Sequence, residues 1–202
     1  MTSTREARLA MKRSTPKTVL SEQHLRGAKL LPTRNHLLDQ LPRQAVCAEV
    51  GVAFGDFTRE IIARCEPKKL HLIDAWSSDR YQAGLDQLKR EFADDIASGR
   101  VVINQGRSTE QLLEFGDRYF DWVYIDTDHS YETTSQELAI AANKVQRDGR
   151  ILGDDFTTGN PVTPVPYGVI EACHEFCVSQ SWRYEYLTME PWGHFSFSLV
   201  RI

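Results

Sequence analysis

Nowhere in the 202 residues is there an apolar run long enough to cross a bilayer, and the N-terminus lacks the apolar core of a secretory signal. These absences predict a cytoplasmic protein with no membrane-spanning segment. Cysteine is scarce: Cys47, Cys65, Cys173 and Cys177 are four, and no two of them form a C-x-x-C pair. Their places inside apolar segments predict reduced, buried thiols, which excludes a disulfide-stapled secreted scaffold and a structural zinc knuckle. Internal repeats and linkers are missing, and so is the G-x-G-x-x-G signature of a dinucleotide site. What is there has the make-up of an ordinary globular domain, 41% hydrophobic and 26% charged, of a length that one core can hold together.

Charge is uneven. Residues 1–34 carry eight Lys and Arg against Glu6 and Glu22, about +6, while the rest carries about −10, for a net charge of −4. A basic, Ser/Thr-rich arm occurs as an organelle presequence or an RNA-binding tail, and more often as a solvated arm lying over an acidic body. The organisation expected is a basic arm or helical extension over 1–42 and one domain over 43–202.

From residue 45 onward, strand and helix patterns alternate. "AVCAEV" (45–50) is a short apolar run, followed by a glycine turn and a helix with Phe57, Ile61 and Ile62 at helical spacing. "KLHLIDAW" repeats the strand signal, and 81–97 reads as one amphipathic helix with Leu85, Leu88, Phe92 and Ile96 on a single face. "VVINQG", "FDWVYID" and "RILGDD" are further strands. A helix is predicted over 132–146, with Thr134 and Glu137 at capping-box spacing. After the helix "VIEACHEFCVSQ", the segments "WRYEYLTM" and "HFSFSLVRI" read as an antiparallel pair. The fold class predicted is α/β: a Rossmann-like, doubly wound, mostly parallel seven-stranded sheet with a C-terminal antiparallel hairpin. Such sheets bind ligands beyond the carboxyl ends of their strands, and there stand "EVGVAFG", "IDAW", "IDTDH" and "GDDF".

The first of these turns reads Glu49-x-Gly51-x-x-x-Gly55. A carboxylate two residues before the first glycine repels phosphate and suits a cationic or hydroxyl-rich ligand. "AEVGVAFG" resembles the first motif of class I S-adenosylmethionine-dependent methyltransferases, with Ala53 where many members have a second glycine. The resemblance extends through Asp74, "NQGRS", "FDWVYID" and the closing hairpin, from about residue 42 onward. It implies that Glu49, Gly51 and Gly55 line the methionine end of S-adenosylmethionine, that Asp74 accepts the ribose hydroxyls, and that Gly106 and Ser108 lie by the adenine. Asp126 is counted with the cofactor residues as well. Read locally, Asp74 could instead cap the next helix, and Ser108 is an ordinary helix N-cap.

"YIDTDHSYE" followed by "GRILGDDF" resembles the macrocin O-methyltransferase type and, more distantly, the catechol and caffeoyl-CoA O-methyltransferases. That resemblance implies a metal set of Asp126, Asp154 and Asp155. His129 stands where many members have a basic catalytic residue, commonly Lys, and is the candidate general base. Strands four and five lie ~4.8 Å apart in such a sheet, so these carboxylates converge and require a proton or a shared cation, with all-oxygen ligands favouring Mg²⁺ or another hard divalent ion. Asp155 could alternatively cap the loop after it.

The expected activity is metal-assisted O-methylation of a small hydroxylated substrate. The alternatives are a cofactor-binding protein without transfer activity, or an RNA-directed methyltransferase using the arm; a nucleic-acid partner is not the expectation, and folds of this class often form homodimers. Tyr81, Tyr167 and Trp192, in or beside "WSSDRYQ", "FTTGNPVTPVPYG" and "MEPWGH", could supply flat walls for a substrate or serve as core or dimer contacts. His36, His71 and His174 are expected to be structural.

Overall fold

The computed structural model describes residues 4–160, 162 and 164–202; Pro161 and Thr163 of the loop singled out above, and residues 1–3 of the arm, lie outside the described residues. The elements run α1 (Arg5–Ser14), β1 (Lys29–Leu31), α2 (Arg34–Leu38), β2 (Val46–Val50), α3 (Asp56–Cys65), β3 (Lys69–Asp74), α4 (Asp79–Glu91), α5 (Ala93–Ala97), β4 (Val101–Gln105), α6 (Ser108–Leu113), β5 (Phe120–Ile125), α7 (Tyr131–Lys144), β6 (Val145–Gly153), α8 (Val169–Gln180), β7 (Trp182–Thr188) and β8 (Phe197–Arg201). They build an α/β Rossmann-like fold around one sheet ordered β1-β7-β8-β6-β5-β2-β3-β4. All pairs are parallel except those that β8 makes with β6 and β7, so the closing hairpin is antiparallel as the sequence predicts.

The sheet has eight strands rather than seven. β1, from the N-terminal segment, pairs in parallel with β7 through Lys29↔Tyr186, Leu30↔Leu187 and Leu31↔Thr188. Three residues are too few to announce a strand by alternation.

Apolar strands buried on both faces demand helices on both faces. One core cluster packs Val50, Ile125 and Ile151 with Leu138, Ala141, Cys173 and Phe176 of α7 and α8. The other packs Cys47, Leu70, Leu72 and Tyr124 with Leu37, Ile61, Leu85 and Leu88 of α2, α3 and α4. All four cysteines are free and buried. His71 bonds Asn104 and Tyr119, His36 bonds Thr33, and His174 bonds the carbonyl of Thr18. Among the described residues, no helix is long and apolar enough to cross a membrane.

Two helix expectations change. The span 81–97 breaks at Phe92, which leaves helical geometry (φ −104°, ψ 27°) as its ring turns into the core between α4 and α5. α7 is capped by Ser130, whose hydroxyl accepts from Thr133 N, not by a Thr134–Glu137 box; Thr134 and Glu137 are buried instead. β6 then starts directly at Val145, with residues 146–149 bulging between its pairings to Phe120 and Trp122.

The switch point lies between β2 and β5: from β2 the sheet runs to β3 and β4 on one side and to β5 and β6 on the other. That crevice is where such a sheet binds its ligand.

Candidate active site

Beyond the carboxyl ends of β2, β3 and β5 opens a cavity of about 720 Å³, within the range of small-molecule sites. Glu49, Gly51, Asp74, Ser108, Asp126 and His129 line it. Gly55 and Gly106 do not. Gly55 sits beneath Leu88 in left-handed conformation (φ 78°) at the N-cap of α3, and Gly106 packs against Gln111 while donating to the Asp74 carbonyl. Both glycines shape the turns behind the cavity, a backbone role that the cofactor motif does not separate from ligand contact.

Gly51 brings two strand ends together. Its N–H donates to Ile73 O (2.8 Å), its φ is +89°, and an added Cβ would stand 1.8 Å from the Asp126 carbonyl oxygen. No side chain fits there, so the sheet can close at its switch point only over a glycine.

Asp74 organises the first loop. One carboxylate oxygen accepts from Val52 N (2.8 Å) and Ala53 N (2.9 Å), the other from Trp76 N (2.8 Å). An ionised carboxylate offers about four acceptor sites, so one stays open toward the cavity. The capping and ligand roles are thus compatible in one side chain.

Glu49 is buried and accepts from Thr58 Oγ1 (2.6 Å). Burial raises its pKa from 4.5 to about 8, against the opposing pull of Thr58 and Arg34. Between those values the folded protein keeps a proton that the unfolded chain has released. Stability therefore falls as pH rises from about 4.5 to about 8, by at most about 1.4 kcal/mol per pH unit, and is flat outside that window. Replacing Glu49 with Gln keeps an acceptor for Thr58 and removes the titration. Urea midpoints at pH 5 and pH 8 are expected to differ less in Glu49→Gln than in wild type; an equal drop in both would refute the assignment.

Ser108 is not the N-cap of α6; Arg107 is, and the Ser108 hydroxyl bonds Glu137. Glu137 also accepts from Thr127 Oγ1 (3.0 Å), and its burial raises its pKa to about 7. Ser108 and Thr127 line the cavity, and the buried Glu137 links them from behind.

At the ends of β5 and β6 the structure gathers Asp126, His129 and Asp155, one donor atom from each lying within 4.8 Å of the others. His129 Nε2 is 3.1 Å from Asp155 Oδ2, and Nδ1 is 3.9 Å from Asp126 Oδ1. The His129 ring packs on Tyr167 at 4.7 Å between centroids. Burial pushes the His129 pKa below 6.5 despite the pull of Asp155, so its imidazole is neutral at pH 7 and can accept a proton or a metal. Burial, reinforced by Asp154 and Asp155, holds the Asp126 carboxyl well above the usual carboxylate range. Such crowding is relieved by a proton or a cation.

Asp154 departs from the expected Asp126–Asp154–Asp155 set. Its carboxylate accepts from Arg34 Nη1 (2.8 Å) and Ser196 Oγ (2.8 Å), and the three residues whose donor atoms converge include His129 in its place. Arg34, from the N-terminal segment, also lies over the Phe57 ring at 4.5 Å. Although burial opposes its charge, Tyr124, Asp154 and Asp126 keep it protonated beyond the ordinary arginine range.

His194 completes the group by donating from Nδ1 to Asp155 Oδ1. Sequence reasoning named the segment around His194 as a recognition element and missed this side chain, and it missed Arg34 as well. The basic character of the arm was the one signal for Arg34.

The positions with left-handed backbone concentrate here. Ala53, Trp76, His129 and Asp155 are four of the eight non-glycine residues with positive φ among those described. Backbone strain of this kind gathers at functional edges.

The fold and this cavity define a class of protein, the Rossmann-like class I methyltransferases. Residues 48–156, just over half of the chain, match the family described as "Methyltransferase domain", and the chain belongs to it. Among solved structures, the pyocyanin biosynthetic protein PhzM aligns with a TM-score of 0.63 at 13% identity, over 83% of this chain and 54% of its own. The present chain thus spans about half the length of that protein. The Burkholderia thailandensis 1,6-didemethyltoxoflavin-N1-methyltransferase, solved with its acceptor and S-adenosylhomocysteine, aligns with a TM-score of 0.58 at 14% identity, over 79% and 72% of the two chains. The B. subtilis M1A22 tRNA methyltransferase TrmK gives 0.59 at 12% identity, over 85% and 67%. At such identities these likenesses are likenesses of fold. No curated protein matches the sequence.

Proposed function

We propose that the chain transfers the methyl group of S-adenosylmethionine to a hydroxyl of a small acceptor. The observation that carries this reading is the juxtaposition of the Asp74-organised cavity with the Asp126–His129–Asp155 cluster at one sheet edge. The motif resemblance to macrocin-type O-methyltransferases supports oxygen as the accepting atom.

Asp74 would accept a ribose hydroxyl through its open site, and Glu49 would face the cationic methionine end. In the transfer, an O–CH₃ bond forms as the S–CH₃ bond breaks, the sulfonium becomes a neutral thioether, and the hydroxyl proton passes to an imidazole. The enzyme's main contribution is to align acceptor oxygen, methyl carbon and sulfur.

The cluster also fits a divalent cation by the chemistry of its donors, two carboxylates and one imidazole converging on a crowded acidic point. A bound cation would act there as a Lewis acid, lowering the pKa of the acceptor hydroxyl. An imidazole donor shifts the preference from Mg²⁺ toward Mn²⁺ or Zn²⁺. His129 and His194 approach Asp155 on its two oxygens, so one imidazole can serve as a ligand while the other receives the proton.

Mn²⁺ titration followed by electron paramagnetic resonance tests the cation. One bound ion per chain is expected, with affinity falling at least tenfold in His129→Ala. Retention of full Mn²⁺ affinity by that variant would remove the cluster from the reading.

A further inference from the structure

Among the described residues that line the cavity, Glu49, Asp56, Asp74, Asp126 and Asp128 are acidic, whereas Arg34 and Arg107 are the arginines and no lysine joins them. S-adenosylmethionine carries a carboxylate beside its ammonium and sulfonium groups. A cavity with this excess of acid repels that carboxylate unless a cation meets it.

The two arginines are not equivalent. The Arg107 side chain is 80% exposed, with Glu110 at 3.9 Å, so water screens its charge. The Arg34 side chain is 36% exposed, and its guanidinium lies over the Phe57 ring at 4.5 Å. Its position also fits the chemistry. Nη1 bonds Asp154, the neighbour of Asp155, and the charge acts on both Glu49 and Asp126. In the proposed transfer the sulfonium lies by the Asp126–His129–Asp155 cluster, and a short alkyl chain joins its sulfur to the carboxylate.

The fold mounts Arg34 firmly. Its backbone N–H donates to the buried carboxylate of Glu190, which also accepts from Thr188 Oγ1 at the end of β7. Met189 N donates to Leu31 O (2.9 Å), continuing the β1–β7 pairing up to the start of α2. A guanidinium has five N–H donors, of which one goes to Asp154 and another to the Tyr124 oxygen. The others have no partner among the described residues. Arg34 stands before residues 48–156, the span that matches the family, so it belongs to the N-terminal segment of this chain.

We propose that Arg34 binds the methionine carboxylate of the cofactor through these remaining donors, and that it makes the protein select sulfonium donors bearing an amino acid over their decarboxylated, purely cationic counterparts. The inference rests on the cofactor assignment above. Without Arg34, the acidic lining favours the decarboxylated form instead.

Calorimetry on the full chain tests this with S-adenosylhomocysteine and 5′-deoxy-5′-(3-aminopropylthio)adenosine, which keeps the amine and lacks the carboxylate. Wild type is expected to prefer S-adenosylhomocysteine at least tenfold, the worth of a charge-assisted pair. In Arg34→Gln the preference is expected to fall below threefold or to reverse, while affinity for the decarboxylated ligand drops no more than threefold. A role confined to tying the N-terminal segment to Asp154 would weaken both ligands alike and leave their ratio at the wild-type value. That result, or equal affinity of wild type for the two ligands, would overturn the assignment. If Arg34→Gln does not fold, Arg34→Lys decides: a point charge replaces a fork that can meet both carboxylate oxygens, so the preference is expected to fall at least threefold, and an unchanged preference would overturn it. Failure of the wild type to bind S-adenosylhomocysteine would instead strike the cofactor assignment beneath it.

Discussion

Gly51→Ala is expected to cost about 3 kcal/mol or more of stability and to abolish S-adenosylhomocysteine binding. The alanine Cβ would meet the Asp126 carbonyl at 1.8 Å, backbone against backbone, so no rotamer change relieves it. A left-handed φ of +89° adds about 1–2 kcal/mol for any residue with a Cβ. Separation of β2 from β5 is the available relief, and it would open the switch point at which the ligand binds. Gly99→Ala is the control: its φ is similarly positive, at +75°, but nothing lies within 4 Å of the added atom, so only the conformational cost of about 1–2 kcal/mol applies. Urea denaturation of both variants measures the difference. Equal losses would show that the approach to Asp126 does not constrain the sheet.

Asp155→Asn is expected to lower methyl transfer to a hydroxyl acceptor by roughly 10²–10⁴-fold, the usual worth of a positioned acid–base group, while S-adenosylhomocysteine binding is unchanged. Asparagine tolerates the left-handed conformation of this position (φ 55°) better than most residues, so the backbone is retained. What is lost is the negative charge that Asp155 presents to His129 and His194 together. Single-turnover transfer from labelled S-adenosylmethionine to a small hydroxylated acceptor reads the effect. Retention of wild-type rate would show that the two imidazoles work without their shared carboxylate.

The parts of this site legible in the sequence are those fixed by strand ends. Glu49, Gly51, Asp74, Asp126 and Asp155 each stand on or just past the last residue of an apolar run, and a doubly wound sheet sends all such ends to one edge. The partners that cross the fold were not legible. Arg34 reaches Asp154 from 120 residues away, and His194 reaches Asp155 from 39, with no periodicity linking either pair. "DD" reads as a unit in the sequence, yet adjacent residues at a strand's end project to different sides, so Asp155 faces His129 while Asp154 turns to Arg34 and Ser196. The break at Phe92 was hidden because its apolar spacing fits a continuous helix, while its backbone geometry answers to core packing. Gly55 and Gly106 carry the cofactor motif's signature, but glycine at a turn marks backbone shape as readily as ligand contact.

The central claim is that the cavity beyond β2 and β3 holds S-adenosylmethionine through Asp74, and calorimetric titration of S-adenosylhomocysteine into wild type, Asp74→Asn and Asp74→Ala tests it directly. The account predicts one site per chain in wild type, at least a tenfold loss in Asp74→Asn and no measurable binding in Asp74→Ala, with folding of each variant checked by circular dichroism. Absence of binding to the wild type, or undiminished affinity in a folded Asp74→Ala, would contradict it.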